Sequence, residues 1–328
     1  MNVLLTGATG LLGLHVAGEL VRQGHAVKAV YRSLPQPFSA LPWFKDIDWV
    51  KGAITSATEM EAAVRGADAV IHAAARTEPS PSDLSAYVTA NITATQNILS
   101  AVQKWHVGRL VYVSTAAVYG PGTLTQPATE ESPYAFHLMR SGYIASKYQA
   151  QQRVLQAVRQ GTNAVIVNPA FMLGPYDFKP SSGAILQHVL RRGPVFYPGA
   201  GGKSFIDVRD AARATVNALT MGQTGHSYLL ANESLTYDQF FALAARLSGK
   251  KKHLIPVLAP VLRAAGRLGS SGEQLLRRPF QLNHINAVLM TQDNYYSGEK
   301  ARRELAMPAT PVAQAIADAL EWFKEPRS

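Results

Sequence analysis

Six short runs dominated by β-branched and other apolar residues, 3–6, 26–31, 47–50, 69–72, 110–113 and 164–167, alternate with helix-length stretches through the first half of the chain. Strands spaced this way cannot be joined by hairpins. They need crossover connections, which are right-handed and place helices on both faces of a parallel sheet. The alternation therefore predicts an α/β fold, a Rossmann-type doubly wound parallel sheet. After Pro169 the rhythm loosens, with Pro and Gly recurring at Gly174-Pro175, Lys179-Pro180, Gly193-Pro194 and Pro198-Gly199. A helix starting near Val208 and a final one over 312–324 remain legible there. The expected organisation is a core over 1–170 and a smaller C-terminal substrate-binding lobe over 171–328, with some elements returning to the core.

The segment TGATGLLG sets Gly7, Gly10 and Gly13 between the first strand and a helical stretch over 11–22. At this junction a glycine turn lets the backbone approach a pyrophosphate, while the free N–H groups and positive dipole of the helix start face the anion. Thr9, Leu11 and Leu12 belong to the same loop. The core is thus expected to bind a dinucleotide. NAD-preferring folds usually carry an acidic residue at the end of the second strand, where this chain has Tyr31-Arg32. The planar fork of Arg32 can pair with a 2′-phosphate, which favours NADP(H), with NAD(H) kept as the alternative.

In YIASK, Tyr143 and Lys147 are spaced one turn apart and share a face if 141–159 is helical. An ammonium beside a phenol favours the phenolate and brings proton transfer within range. Upstream, the strand over 110–113 runs into Ser114-Thr115, which puts a hydroxyl at a strand's carboxyl end, where open α/β sheets bind ligands. Thr115 is expected to hold a substrate oxygen. A glycine turn, a strand-end hydroxyl and a Tyr-Lys pair in this order point to hydride chemistry on a carbonyl or carbinol.

The ordered motifs TGATGLLG, His72-Ala73-Ala74-Ala75, Asn91, VYVSTAAVYG, YIASK and NPAFMLGP, spanning Thr6 to Pro175, resemble those of the extended short-chain dehydrogenase/reductase family. GPYDFKPSSG and SGEKARREL are similar to its dihydroflavonol reductase-like branch, which includes hopanoid-associated sugar epimerases. The resemblance implies Tyr143 as proton donor or acceptor. It implies Lys147 as the group that binds the nicotinamide ribose and lowers the tyrosine pKa, and Thr115 as the residue orienting the carbonyl. It further implies that Ala73, Ala74, Ala75 and Val113 line the cofactor, that Pro169 to Met172 pass the nicotinamide, and that Asn91 supports a helix or a water relay. A homodimer is also part of what it implies.

Two positions depart from the family pattern. Many relatives have Gly-Asp after the third strand, with the carboxylate on the adenine amino group; this chain has Gly52-Ala53, so backbone contacts from Ala53 and Ile54 would have to serve. Sugar-nucleotide epimerases generally carry an arginine for the diphosphate where Lys203 stands here. A lysine lacks the bidentate fork, which weakens a nucleotide-sugar reading. The expected function is an NADP(H)-dependent reductase of a ketone or aldehyde. An NAD(P)-dependent sugar-nucleotide epimerase or dehydratase is the alternative, and a redox-sensing protein without chemistry is a third. Phe171, Met172, Tyr176 and Phe205 are candidate pocket residues and suggest an apolar or aromatic substrate.

The chain has no cysteine, hence no disulfide framework, thiolate zinc site or cysteine nucleophile, in keeping with the cytoplasm. No signal-peptide pattern precedes the first strand. The apolar run 254–265 is interrupted by Pro256, Pro260 and Arg263 and falls short of the ~20 residues of a spanning helix. A net charge of +10 raises a nucleic-acid partner. The basic residues are scattered apart from Lys250-Lys251-Lys252, so a solvated charge run is the better reading, and nucleic acid is not expected. The segment from Lys250 to Arg267 leaves a membrane-surface role open.

Overall fold

In the computed structural model, residues 1–34, 36–78, 83–135, 140–276, 280 and 282–325 are described. The strands are β1 (Asn2–Thr6), β2 (Ala26–Tyr31), β3 (Ile47–Lys51), β4 (Ala69–His72), β5 (Arg109–Val113), β6 (Ala164–Pro169) and β7 (Phe171–Leu173). They continue with β8 (Val195–Pro198), β9 (Gly202–Asp207), β10 (Ser227–Leu230), β11 (Glu233–Thr236), β12 (Leu254–Val257) and β13 (Asp293–Asn294). Seven of them form the main sheet in the order β3-β2-β1-β4-β5-β6-β10, every neighbouring pair parallel. The strand order reverses between β1 and β4, and ligands bind at such a point, beyond the carboxyl ends of the strands.

Both faces of this sheet are covered, which is why its strands read as nearly continuous apolar runs. Leu5, Ile71, Val111 and Val167 point to one side, where the helices Leu11–Arg22 and Val208–Asn217 pack on each other. Leu4, Val70, Leu110 and Ile166 point to the other, against the helices Ala57–Val64, Ala94–Lys104 and Gly142–Arg159. The chain beyond residue 170 returns to this core three times, through the helix Val208–Asn217, through β10 and through the helix Glu299–Leu305.

The remaining C-terminal elements build a second core. β9 is its central strand, with β7 and β13 parallel and β11 antiparallel to it. Phe205, Phe240, Val312 and Ile316 fill the space between this sheet and the helices Tyr237–Leu247 and Val312–Lys324. β8 and β12 pair as a separate two-stranded ribbon. Among the described residues no helix is long and apolar enough to cross a membrane.

Candidate active site

Gly7 closes β1 with φ of +81°, and a Cβ there would lie 2.5 Å from the Ala74 nitrogen. The turn is therefore pressed against the end of β4, where Ala73 N donates to Thr6 O (3.1 Å) and Ala74 N to Thr6 Oγ1 (3.4 Å). Gly13 is tighter still: its Cβ would fall 1.9 Å from Gly7 O, so the helix Leu11–Arg22 can start this close to the strand only over a glycine. Gly10 differs. A Cβ there would meet only Gly7 O, at an ordinary 3.5 Å, and its own protein supplies no packing reason for a glycine. It is exposed and caps the helix without any side-chain bond to the first-turn amides. Space above Gly10 and a helix start without a side-chain cap are what a dinucleotide pyrophosphate requires. Thr9, Leu11 and Leu12 flank that opening, with Leu12 buried beneath it.

The helix Gly142–Arg159 begins at Ser141, whose hydroxyl accepts from Ile144 N. This start orients Tyr143 and Lys147 onto one face, toward the ends of β5 and β6. Lys147 is 3% exposed and donates to Val113 O at 2.6 Å. Burial holds its ammonium down at about 7, and its Nζ lies 4.5 Å from the centre of the Tyr112 ring. One of its three N–H donors is thus committed, and the others suit ribose hydroxyls. Burial pushes the Tyr143 phenol upward, and its interaction with the Thr115 hydroxyl works against that shift. Thr115 is fixed from behind by Asn168, whose Nδ2 donates to Thr115 O and to Gln151 Oε1, each at 3.0 Å. Beside it, the Ser114 hydroxyl is buried without a partner among the described residues.

Asn91 lies in a π-helical turn, Val88–Thr93, and is buried. Its Oδ1 accepts from Arg76 N (2.7 Å), and its Nδ2 donates to Arg76 O (3.1 Å) and Ser146 Oγ (2.8 Å). Ser146 Oγ in turn donates to Tyr143 O (2.7 Å). Asn91 therefore ties the loop after β4 to the helix that carries Tyr143. The same polar seam continues through Thr95, which donates to Asn91 O (2.6 Å), and through His72, bonded to Thr95 Oγ1 (3.2 Å) and Thr6 Oγ1 (2.7 Å).

Gly7, Gly10, Gly13, Ala73, Ala74, Val113, Thr115, Tyr143 and Lys147 thus converge on the carboxyl edge of the main sheet. Ala75 follows in the same loop, and Pro169 and Met172 end β6 and enter β7 beside Thr115. Phe171 is half-buried beneath Lys203, whose Nζ lies 5.3 Å from its ring centre. Arg32 is exposed immediately past β2.

Phe205 and Tyr176, both expected at the pocket, are packed within the protein. Phe205 is 0% exposed and stacks on Phe240 at 4.6 Å between ring centres, within the core of the second lobe. Tyr176, with φ of +65°, packs among His15, Trp43, Phe178 and Trp322. Aromatic composition announces burial but not the face on which it occurs. The backbone of Ala53 and Ile54 is also less free than expected. Ala53 N donates to Glu59 Oε2 (2.9 Å), Ala53 O accepts from Ser56 N, and Ile54 O accepts from Asn97 Nδ2 (3.2 Å). Glu59 was not legible as a site residue. Its carboxylate nevertheless reaches back to the end of β3, where the sequence has Ala53 in place of an acid.

Comparison with known proteins agrees with this geometry. The model of the NAD dependent epimerase/dehydratase family matches residues 3–231. The chain is 32% identical over 329 residues to a Synechocystis sp. protein named "Putative dihydroflavonol 4-reductase", covering 98% of this chain and 94% of that one. It is likewise 32% identical to the 2-alkyl-3-oxoalkanoate reductase of Stenotrophomonas maltophilia, covering 96% and 97% of the two chains. The crystal structure of gox2253 superposes with a TM-score of 0.84 at 26% identity, covering 98% of this chain and 97% of that one. The protein is therefore a member of the NAD dependent epimerase/dehydratase family, the extended short-chain dehydrogenase/reductases.

Proposed function

We propose that this chain is an NADP(H)-dependent carbonyl reductase that reduces a ketone or aldehyde of apolar or aromatic character in the cytoplasm. The observation that carries the reading is the meeting of Thr115 and Tyr143 at the sheet edge, beside buried Lys147 and below the opening over Gly10. Gly7, Gly10 and Gly13 would hold the pyrophosphate of the cofactor, Lys147 its nicotinamide-ribose hydroxyls, and Arg32 a 2′-phosphate. When bound, the nicotinamide supplies the hydride. Tyr143 gives its phenolic proton to the substrate oxygen, and Thr115 holds that oxygen by hydrogen bonding. A phenol pushed up by burial stays protonated at neutral pH, which suits a donor and hence the reductive direction. Phe171 and Met172 present apolar surface at this edge. Two relatives at 32% identity over 98% and 96% of this chain bear reductase names, which supports reduction over epimerisation. Lys203 in place of a bidentate arginine points the same way.

Titration with NADPH and NADH, repeated with Arg32→Ala, tests the cofactor. The wild type is expected to prefer NADPH at least tenfold and the variant to lose that preference; equal affinity of the wild type for both would remove Arg32 from the argument. A panel of carbonyl compounds, followed by nicotinamide absorbance, tests the reaction. Tyr143→Phe is expected to lower turnover by 10²–10⁴-fold, the range of general acid catalysis. Isomerisation of a sugar nucleotide without net NADPH consumption would overturn the reductase reading.

A further inference from the structure

We infer that the hairpin formed by the helices Ala259–Leu276 and His284–Met290, with the adjoining β8–β12 ribbon, docks this protein onto an anionic phospholipid surface. Nine of the fourteen exposed large apolar side chains among the described residues are Phe196 or fall between Ile255 and Met290, so the exposure is concentrated and not scattered. Phe196 and Ile255 are register partners across β8 and β12, and the chain runs from Ile255 through Leu258 directly into the helix Ala259–Leu276. On that helix Val261, Leu268 and Leu275 recur at sevenfold spacing and are 55%, 75% and 83% exposed. They form one solvent-facing stripe.

The opposite side of the helix is already occupied. A Cβ on Gly266 would lie 2.6 Å from Ala287 Cβ and one on Gly269 1.9 Å from Leu282 O, so the helix is pressed against the segment leading into the helix His284–Met290. The outward stripe is therefore left over after the hairpin has packed.

Charge selects the occupant. Residues 249–292 contain seven Lys or Arg and one carboxylate, Glu273. That carboxylate is turned inward, accepting from Phe280 N (2.9 Å) and Asn283 Nδ2 (3.4 Å). Arg267 is exposed on the same helix, and Arg263, also exposed, donates its Nε to Thr291 Oγ1 (3.0 Å) on the side of the helix His284–Met290. At the start of the ribbon, Arg191, Arg192, Lys250, Lys251, Lys252 and His253 line a cleft of ≈ 450 Å³ that has no carboxylate among its lining residues. An apolar stripe rimmed by cations is the pattern of a helix lying in a bilayer interface, and too short and interrupted to cross it. The surface lies one helix layer from the chemistry. Val288 and Leu289, on the inner helix of the hairpin, share one apolar cluster with Tyr143 and Ile144. A substrate leaving the lipid phase would thus meet the roof of the candidate site.

Flotation of the purified full chain with vesicles of phosphatidylcholine, alone or mixed with equal phosphatidylglycerol, tests this. The wild type is expected to float with the mixed vesicles and to remain behind with phosphatidylcholine alone. Replacing Lys250, Lys251 and Lys252 together by Ala is expected to weaken partitioning on the order of a hundredfold, about fivefold for each cation removed. Leu268→Glu with Leu275→Glu is expected to abolish it, with circular dichroism and the thermal midpoint unchanged because both side chains are mostly exposed. Failure of the folded wild type to float with mixed vesicles overturns the inference. So does sedimentation showing that the double Leu→Glu variant turns a dimer into a monomer while the wild type ignores vesicles, since the stripe would then face a second copy of the chain.

Discussion

The three glycines of the first turn do different jobs, and the distances separate them. Gly13 is required by the protein itself, because a methyl group would intrude to 1.9 Å from Gly7 O, a backbone atom that cannot swing away. Gly10 has room for that methyl within the protein, at 3.5 Å from Gly7 O. The consequence is a clean dissociation between stability and binding. Gly13→Ala is expected to lower the unfolding free energy by about 1–3 kcal/mol, the usual cost of overpacking, as read by urea denaturation. Gly10→Ala is expected to leave that value within about 0.5 kcal/mol and to weaken dinucleotide binding at least tenfold, as read by fluorescence titration. Equal loss of stability in both would mean that Gly10 also serves packing. The sequence gives all three glycines the same weight, because spacing carries no information on which atom sits above each Cα. Glu59 shows a similar limit. Ser56-x-x-Glu59 reads as a helix cap, and Ser56 does accept from Glu59 N, but the carboxylate leaves the cap to bind Ala53 N.

At the scale of elements, the six strands readable from the sequence lie in a sheet with both faces covered, and their apolar side chains enter one core or the other, so local composition suffices. β10 escaped because it has four residues and gains its place only by pairing with β6, across more than fifty residues of intervening chain. The π-helical turn Val88–Thr93 escaped for a related reason: it exists to aim Asn91 at partners distant in sequence, Arg76 and Ser146. Asn91 is a positioning residue, since it touches Tyr143 only through Ser146. Asn91→Ala removes one acceptor and two donor contacts from a buried seam and is expected to cost about 2–3 kcal/mol of stability. It is further expected to lower kcat more than it raises KM, because the start of the helix Gly142–Arg159 loses its tie to the loop after β4. Asn91→Asp restores the acceptor alone and should recover only part of the loss. A purely structural role would lower the thermal midpoint and leave the kcat of the folded fraction untouched.

Across the whole molecule, two buried histidines, one of which joins the two halves, are held well below the ordinary histidine pKa. His72 bridges β1 to the seam below the Tyr-Lys pair, and burial, aided by the Lys147 charge, lowers it to about 3. His15 links the first helix to the second half through Pro175 O at 3.0 Å, and burial lowers it to about 4, against the opposing pull of that carbonyl and of Asp207. Unfolding releases both to the ordinary value of 6.5, so between roughly pH 6.5 and pH 4 the unfolded chain binds protons that the folded chain refuses. Stability must therefore fall as pH drops through that window and level off for each group only below its folded pKa. Each histidine steepens the fall by about 1.4 kcal/mol per pH unit where it is charged unfolded and neutral folded. His15→Asn and His72→Asn are expected to lose stability at pH 7, where the native hydrogen bonds are sacrificed. Each should show a shallower decline between pH 6 and pH 4.5 in urea melts, with the double variant shallower than either. If the slopes of all four proteins coincide, the acid response belongs to carboxylates elsewhere in the chain, and the histidines are not what makes the fold acid-sensitive.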